Sequence, residues 1–245
     1  MPRGDTARSQ VTRATLGVRE LIFDGELPAG SRVPEVAVSE RLDVSRTPLR
    51  LALSTLAHEG LVEPLPGGGF VVRSFTQADV ADAIELRGVL EGTAARFAAE
   101  RLESPDELAP LAAAARELEA VVAEVSPTSL VRYVEYNDAY HEALAELAKS
   151  ETLRRAIANV VALPFAGPGA LLISQATLPG SRDRLVVAQH HHRVLIDAIR
   201  AGHGARAEEI AREHARLALL NLEVVLEDHG ALAHLPGAPL LRRAM

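Results

Sequence analysis

Apolar residues at Val11, Leu16, Val18, Leu21 and Ile22 recur at helical spacing and predict an amphipathic helix over 10–24. Leu27-Pro-Ala-Gly-Ser31 interrupts the pattern as a turn, and a short second helix follows over 34–42. Residues 44–60 are the most sharply patterned stretch. Leu49, Leu53 and Leu56 form a buried stripe, Ser45 is a good N-cap, Pro48 falls in the first turn, and Gly60 supplies the stop. Arg46 and Arg50, four apart, share a different face. Two short apolar runs, 61–65 and 70–73, flank Pro66-Gly-Gly-Gly69 and predict a β-hairpin with a glycine-rich tip. Three helices and a hairpin make a winged helix-turn-helix, whose third helix suits a DNA major groove. An isolated arginine pair would read as a solvated face; the cap, the preceding short helix and the hairpin favour the DNA reading.

From residue 76 onward the pattern is helical. Thr76-Gln-Ala-Asp79 predicts the cap of a long helix carrying Val80, Ala83, Ile84, Arg87, Leu90 and Glu91. Further helices are expected over 105–124, 127–148, 151–162, 182–200 and 205–226, with a Gly/Pro-rich loop over 164–181. The fold class is mostly α. A winged helix over 1–75 precedes an all-α bundle over 76–227, and a loosely held tail covers 228–245. Removing residues 76–245 should leave a folded, weakly binding module.

A chain of 245 residues has room for two domains and a sizeable core. The absence of cysteine excludes a disulfide framework, a thiolate metal site and a cysteine nucleophile. No apolar run reaches membrane-spanning length and no signal-peptide pattern opens the chain, so the expected compartment is the cytoplasm. The net charge is −7, with nine arginines balancing nine acidic residues over 1–75 and the excess acid beyond. An acidic chain is a poor general DNA binder, so binding must come from a local patch, doubled in a dimer and strongly salt-dependent.

The predicted bundle gathers histidines. Asn137 and His141 are four apart on one helix. His192 and His214 lie about ten residues before and after the turn at 202–204, so an antiparallel helix pair brings them level. A histidine on an apolar face needs a partner, and one metal ion would satisfy three. The alternative is a set of unrelated, hydrogen-bonded core histidines. His58, His203, His229 and His234 read as surface or turn residues, and His190 and His191 point away from His192.

Val-Ser-Arg-Thr-Pro-Leu-Arg-Leu-Ala-Leu at 44–53, followed by Glu-Gly-Leu-Val at 59–62, resembles the signature of GntR-family bacterial regulators. The resemblance implies DNA contacts from Ser45, Arg46, Thr47 and Arg50, and from Gly67 at the wing tip. Val36 stands where some members carry an arginine, so a contact from that position should be missing. Glu85-Leu-Arg-Gly-Val-Leu-Glu91, Asn137-Asp-Ala-Tyr-His141 and His192-Arg-Val-Leu-Ile-Asp-Ala-Ile199, with His214, resemble the FadR-type effector domain, also called the FCD domain. That implies a divalent metal held by Asn137, His141, His192 and His214. Asp is the commoner first ligand, and Asp138 ranks second here. The implied effector is a small carboxylate, such as a sugar acid or another organic acid. Arg87 is its candidate clamp, with an intrahelical pair to Glu91 equally open; Tyr133 could line the pocket or belong to the core.

Imidazole and amide oxygen suit Zn²⁺, Ni²⁺ or Mn²⁺ without choosing among them. Four neutral ligands leave the ion's charge uncompensated, which favours an anion. The expected protein is a ligand-responsive homodimeric repressor on an inverted-repeat DNA operator. The rivals are the same regulator without metal and with a more apolar effector, and a metal-dependent enzyme. No carboxylate is clearly placed as a general base, and an enzyme would leave the DNA-binding half unexplained.

Overall fold

The structure, a computed structural model, describes residues 3–124, 127–174 and 178–242. The chain forms two compact units, Met1–Asp79 with Pro236–Met245, and Val80–Leu235.

In the first unit, α1 (Arg3–Phe23) buries Ala14, Val18, Leu21 and Ile22 against α3 (Arg46–His58), which offers Leu49, Ala52, Leu53 and Leu56. Leu16, expected on the apolar face, is 56% exposed, because two residues turn it by about 200° from Ala14. Between them, α2 (Glu35–Arg41) reaches α3 through Asp43, whose φ of 49° is one that aspartate tolerates better than most residues. Gly60, at φ 75°, ends α3 as expected: its N–H donates to Ala57 O, and the Leu61 N–H donates to Leu56 O. Ser45 occupies the N-cap position in extended conformation, but its hydroxyl makes no capping bond. Pro48, three residues on, has removed one of the two N–H groups such a cap would use.

The wing pairs β1 (Val62–Pro64) with β2 (Phe70–Val72) in antiparallel register, Val62 opposite Val72 and Pro64 opposite Phe70. Gly68 and Gly69 turn the tip at φ 86° and 87°. The chain after the expected turn at 27–31 lies along the other edge of β2, with the Val33 N–H donating to Phe70 O and the Val72 N–H to Ser31 O.

The second unit holds most of α4 (Gln77–Arg101), whose start is capped reciprocally as expected. The Thr76 N–H donates to Asp79 Oδ2, and the Asp79 N–H donates to Thr76 Oγ1. Then come α5 (Ala109–Ala123), α6 (Pro127–Leu147), α7 (Glu151–Val161), α8 (Ser181–Arg200) and α9 (Gly204–Glu227). The expected 105–124 helix begins instead with a 3₁₀ turn at Pro105–Leu108. Helix α5 packs on α6 and α8, and α8 packs on α9, around Leu111, Leu118, Tyr140, Leu144, Leu195 and Ile199. Gly88 lets α4 approach α9 closely: a Cβ there would stand 2.9 Å from that of Ala215. Among the described residues no helix is long and apolar enough to cross a membrane.

The terminal segment, expected to be loosely held, is packed. Asp228 caps α10 (His229–Ala233), accepting from the Ala231 N–H. Residues from Pro236 on belong to the first unit. The Phe75 N–H donates to Leu240 O, and the Arg242 N–H donates back to Phe75 O. Leu240 is fully buried, and Pro239 lies 3.0 Å from where a Cβ on Gly25 would be. The glycine and prolines that suggested looseness are turn formers; Gly237, at φ 80°, starts the turn that presents Leu240. Residues 243–245 of the expected tail, and 175–177 of the expected 164–181 loop, lie outside the described residues.

Candidate metal centre and nucleic-acid interface

Ser45, Arg46, Thr47 and Arg50 are exposed at the N-terminal end of α3. Gly67 is exposed at the wing tip, where an added Cβ would meet nothing within 4 Å. The tip is held by Arg32, which the sequence pattern did not single out: its Nη2 donates to Gly68 O at 2.7 Å. Val36 leaves an exposed apolar side chain on α2.

In the second unit three histidines converge. The ligand nitrogens of His141 on α6, His192 on α8 and His214 on α9 lie within 4.8 Å of one another. The α8–α9 turn makes this possible: Gly202 at φ 69° and the His203 N–H donating to Ala198 O fold the two helices back at a fixed level.

Hydrogen bonding fixes the orientation of His192. The Gln189 amide nitrogen donates to Ala115 O at 2.6 Å, which leaves Gln189 Oε1 to accept from His192 Nδ1 at 3.1 Å. Nε2 of His192 is therefore the lone-pair nitrogen, and it faces His214 Nε2 at 3.2 Å. A proton shared between them would satisfy one contact, yet among the described residues His214 Nδ1 and His141 Nε2 are buried without a hydrogen-bond partner. Desolvation by burial holds the His192 and His214 pKa values well below the usual histidine range, with the charge of neighbouring histidines adding to it. The neutral rings of His192 and His214 present buried lone pairs, the kind of donor a borderline divalent cation takes.

The sequence offers Glu91 as an intrahelical partner for Arg87. In the structure its Oε1 stands 3.0 Å from His141 Nδ1, and its Oε2 stands 4.0 Å from Arg87 Nε. Burial opposes its ionisation, but the charges of His141 and Arg87 outweigh that and hold its pKa at about 2. A carboxylate therefore stands against the histidine cluster and steadies the His141 ring. The spacing of Arg87 and Glu91 on one helix is legible in the sequence; the α4–α6 contact that joins Glu91 to His141 is not.

Arg87 is only 2% exposed, and its Nε and Nη1 make no hydrogen bond among the described residues. The pairing with Glu91 is thus present but loose, and it does not satisfy the guanidinium. Tyr133 is buried, its hydroxyl has no hydrogen-bond partner among the described residues, and burial pushes its pKa up. Asn137 is buried one turn from both Tyr133 and His141. Asp138, the second-ranked ligand, has its Oδ1 3.2 Å from where a Cβ on Gly169 would be; burial raises its pKa, while the charges of His141 and Arg87 act to lower it.

Comparison with known proteins places both units. Residues 11–72 match the model of bacterial regulatory proteins of the gntR family, and residues 82–217 match the FCD domain. The chain is 30% identical over 229 residues to the HTH-type transcriptional regulator LutR of Bacillus subtilis, covering 85% of this chain and 97% of that protein. It is 29% identical over 217 residues to a protein of Paenarthrobacter nicotinovorans named "Probable D-xylose utilization operon transcriptional repressor", covering 86% of this chain and 90% of that one. Among solved structures, E. coli McbR/YncC shares the fold, with a TM-score of 0.61 at 19% identity over 87% of this chain and 97% of that one.

Proposed function

We propose, since the chain belongs to the gntR family of bacterial regulators and is a DNA-binding transcription regulator and not an enzyme, that it is a homodimeric repressor released by a small carboxylate bound beside a divalent metal ion. Each winged helix reads one half of an inverted repeat through Ser45, Arg46, Thr47 and Arg50, with Gly67 at the wing tip. His141, His192, His214 and Asn137 hold the ion, which is Zn²⁺, Ni²⁺ or Mn²⁺ by donor chemistry. When bound it supplies a positive centre for a carboxylate. Arg87 supplies a second, and Tyr133 a hydroxyl. The observation that carries this reading is the coincidence of unbonded buried histidine nitrogens with an unsatisfied buried guanidinium. A metal without an anion would leave Arg87 unpaid, and an apolar ligand would satisfy neither. Effector binding shifts the population between DNA-competent and incompetent states, to the extent that the effector prefers one of them.

Native mass spectrometry of protein purified without chelator should find one divalent ion per subunit. Calorimetry should detect organic acids binding the loaded protein but not the chelator-treated one. Acid binding that survives metal removal would favour the metal-free regulator. A reporter gene behind the operator should be silent with the protein present and expressed once the acid is added; the opposite response would make it an activator.

For DNA, Arg46→Ala and Arg50→Ala should each cost about 1–3 kcal/mol of operator binding if the arginine reads a base. A phosphate-contacting arginine would instead weaken all sequences alike and flatten the salt dependence. Gel-shift titration checks this; two variants that shift operator DNA as well as the parent would show that α3 is not the recognition helix.

A further inference from the structure

The DNA-binding unit keeps a carboxylate where it needs positive charge. Glu35 opens α2 and lines a groove shared with Arg32, Val36 and Arg46. Its side chain is only 13% exposed, and Oε2 is buried without a hydrogen-bond partner among the described residues. The cation facing that oxygen is Arg50 of α3, whose Nε is 3.9 Å away and whose side chain as a whole is more than half exposed.

We infer that Glu35 is a positioning residue for Arg50, aiming its guanidinium at one base and so setting specificity at that base pair; this rests on the major-groove reading of α3. An arginine reads guanine best through a bidentate pair of N–H groups. A free arginine must first give up many rotamers. A carboxylate on the Nε edge restricts those rotamers and leaves the two terminal nitrogens free. At 3.9 Å the contact is Coulombic and weak in water. It strengthens when DNA covers the groove and excludes solvent, the setting in which orientation matters. The same carboxylate repels nearby phosphates, so it disfavours binding that engages the backbone alone. Glu35 therefore favours discrimination over bare affinity.

Opposite signs for two kinds of DNA make the inference testable. The operator is selected from random duplexes with the parent protein. Affinities for it, for its single-base variants and for random duplex DNA are then measured for the parent, Glu35→Gln, Glu35→Ala, Arg50→Ala and the Glu35→Gln/Arg50→Ala double variant. Both Glu35 variants should bind the operator about five- to tenfold more weakly and lose discrimination at the base pair that Arg50→Ala also blurs. Their affinity for random DNA should hold or rise. In the Arg50→Ala background, Glu35→Gln should no longer change base preference. A residue that merely supports the fold would lower both affinities together, along with the melting temperature; that result, or unchanged base preference in both Glu35 variants, overturns the inference. An Arg50→Ala protein with full base preference would overturn the α3 reading as well, so the two failures are distinguishable.

Discussion

Replacing His192 by alanine should abolish tight divalent-metal binding, and with it binding of a carboxylate effector. His192 is the completely buried member of the triad, and the Gln189–Ala115 hydrogen bonds fix the direction of its lone pair. Loss of that outer support alone, by Gln189→Leu, should weaken the metal roughly 10–100-fold, because the ring would be free to turn or change tautomer. Asn137→Asp should act in opposite directions on the two ligands. It adds a second carboxylate beside Glu91, so the metal is held harder against a chelator while the site's attraction for a carboxylate falls. Calorimetry with metal, then with organic acids on the loaded protein, reads both; an Asn137→Asp variant unchanged in both titrations would move the site away from Asn137.

The pH dependence follows from the same geometry. The folded state keeps His192 and His214 neutral well below the ordinary histidine value of 6.5. Proton competition at these two rings therefore becomes serious only at a pH well under 6.5. Without metal, acid acts on stability over that window. Below about 6.5 the unfolded chain binds protons that the folded rings refuse, so stability falls as pH is lowered from there toward the depressed folded values. Urea unfolding of the chelated protein at stepped pH should show this slope, and metal should reduce it.

The second large effect lies far from the metal. Leu240→Ala should destabilise the winged-helix unit by about 2–5 kcal/mol, the usual cost of emptying a fully buried leucine site, and Leu240→Asp by more. Leu240 is fully buried, and its carbonyl accepts from Phe75 at the end of the wing. Calorimetric unfolding of the full chain, with operator affinity measured in parallel, checks this; a loss under about 0.5 kcal/mol would put the tail among ordinary surface segments. The expectation that 1–75 folds as a self-sufficient module changes accordingly. A fragment ending there lacks the leucine that completes its core, and it should be less stable by a similar amount.

Local rules decided much of this molecule. The stripe of α3, the Gly60 stop, the Thr76–Asp79 cap and the glycine turn of the wing all depend on residues within a few positions of one another, so their chemistry is written in the order of the chain. The convergence of His192 and His214 was nearly as local, because a tight turn and equal helix lengths on either side fix their level. The Ser45 hydroxyl shows where a local rule yields to another local rule: the same sequence that offers a cap oxygen places Pro48 where the matching N–H would be.

Sequence alone thus determined a winged helix followed by a helical bundle, the exposed arginines of α3, and the candidate histidines. Tertiary structure decided three things that no spacing could. It set Glu91 against His141 across two helices 50 residues apart in sequence. It left Arg87 buried and unsatisfied, a fact about what surrounds a side chain and not about its neighbours in the chain. It also brought Leu240 back to Phe75 over a separation of 165 residues. The physical reason is common to all three. Periodicity reports which face of an element is apolar, but burial, charge pairing and orphaned hydrogen-bonding groups depend on which faces meet, and that is settled only when the whole chain packs.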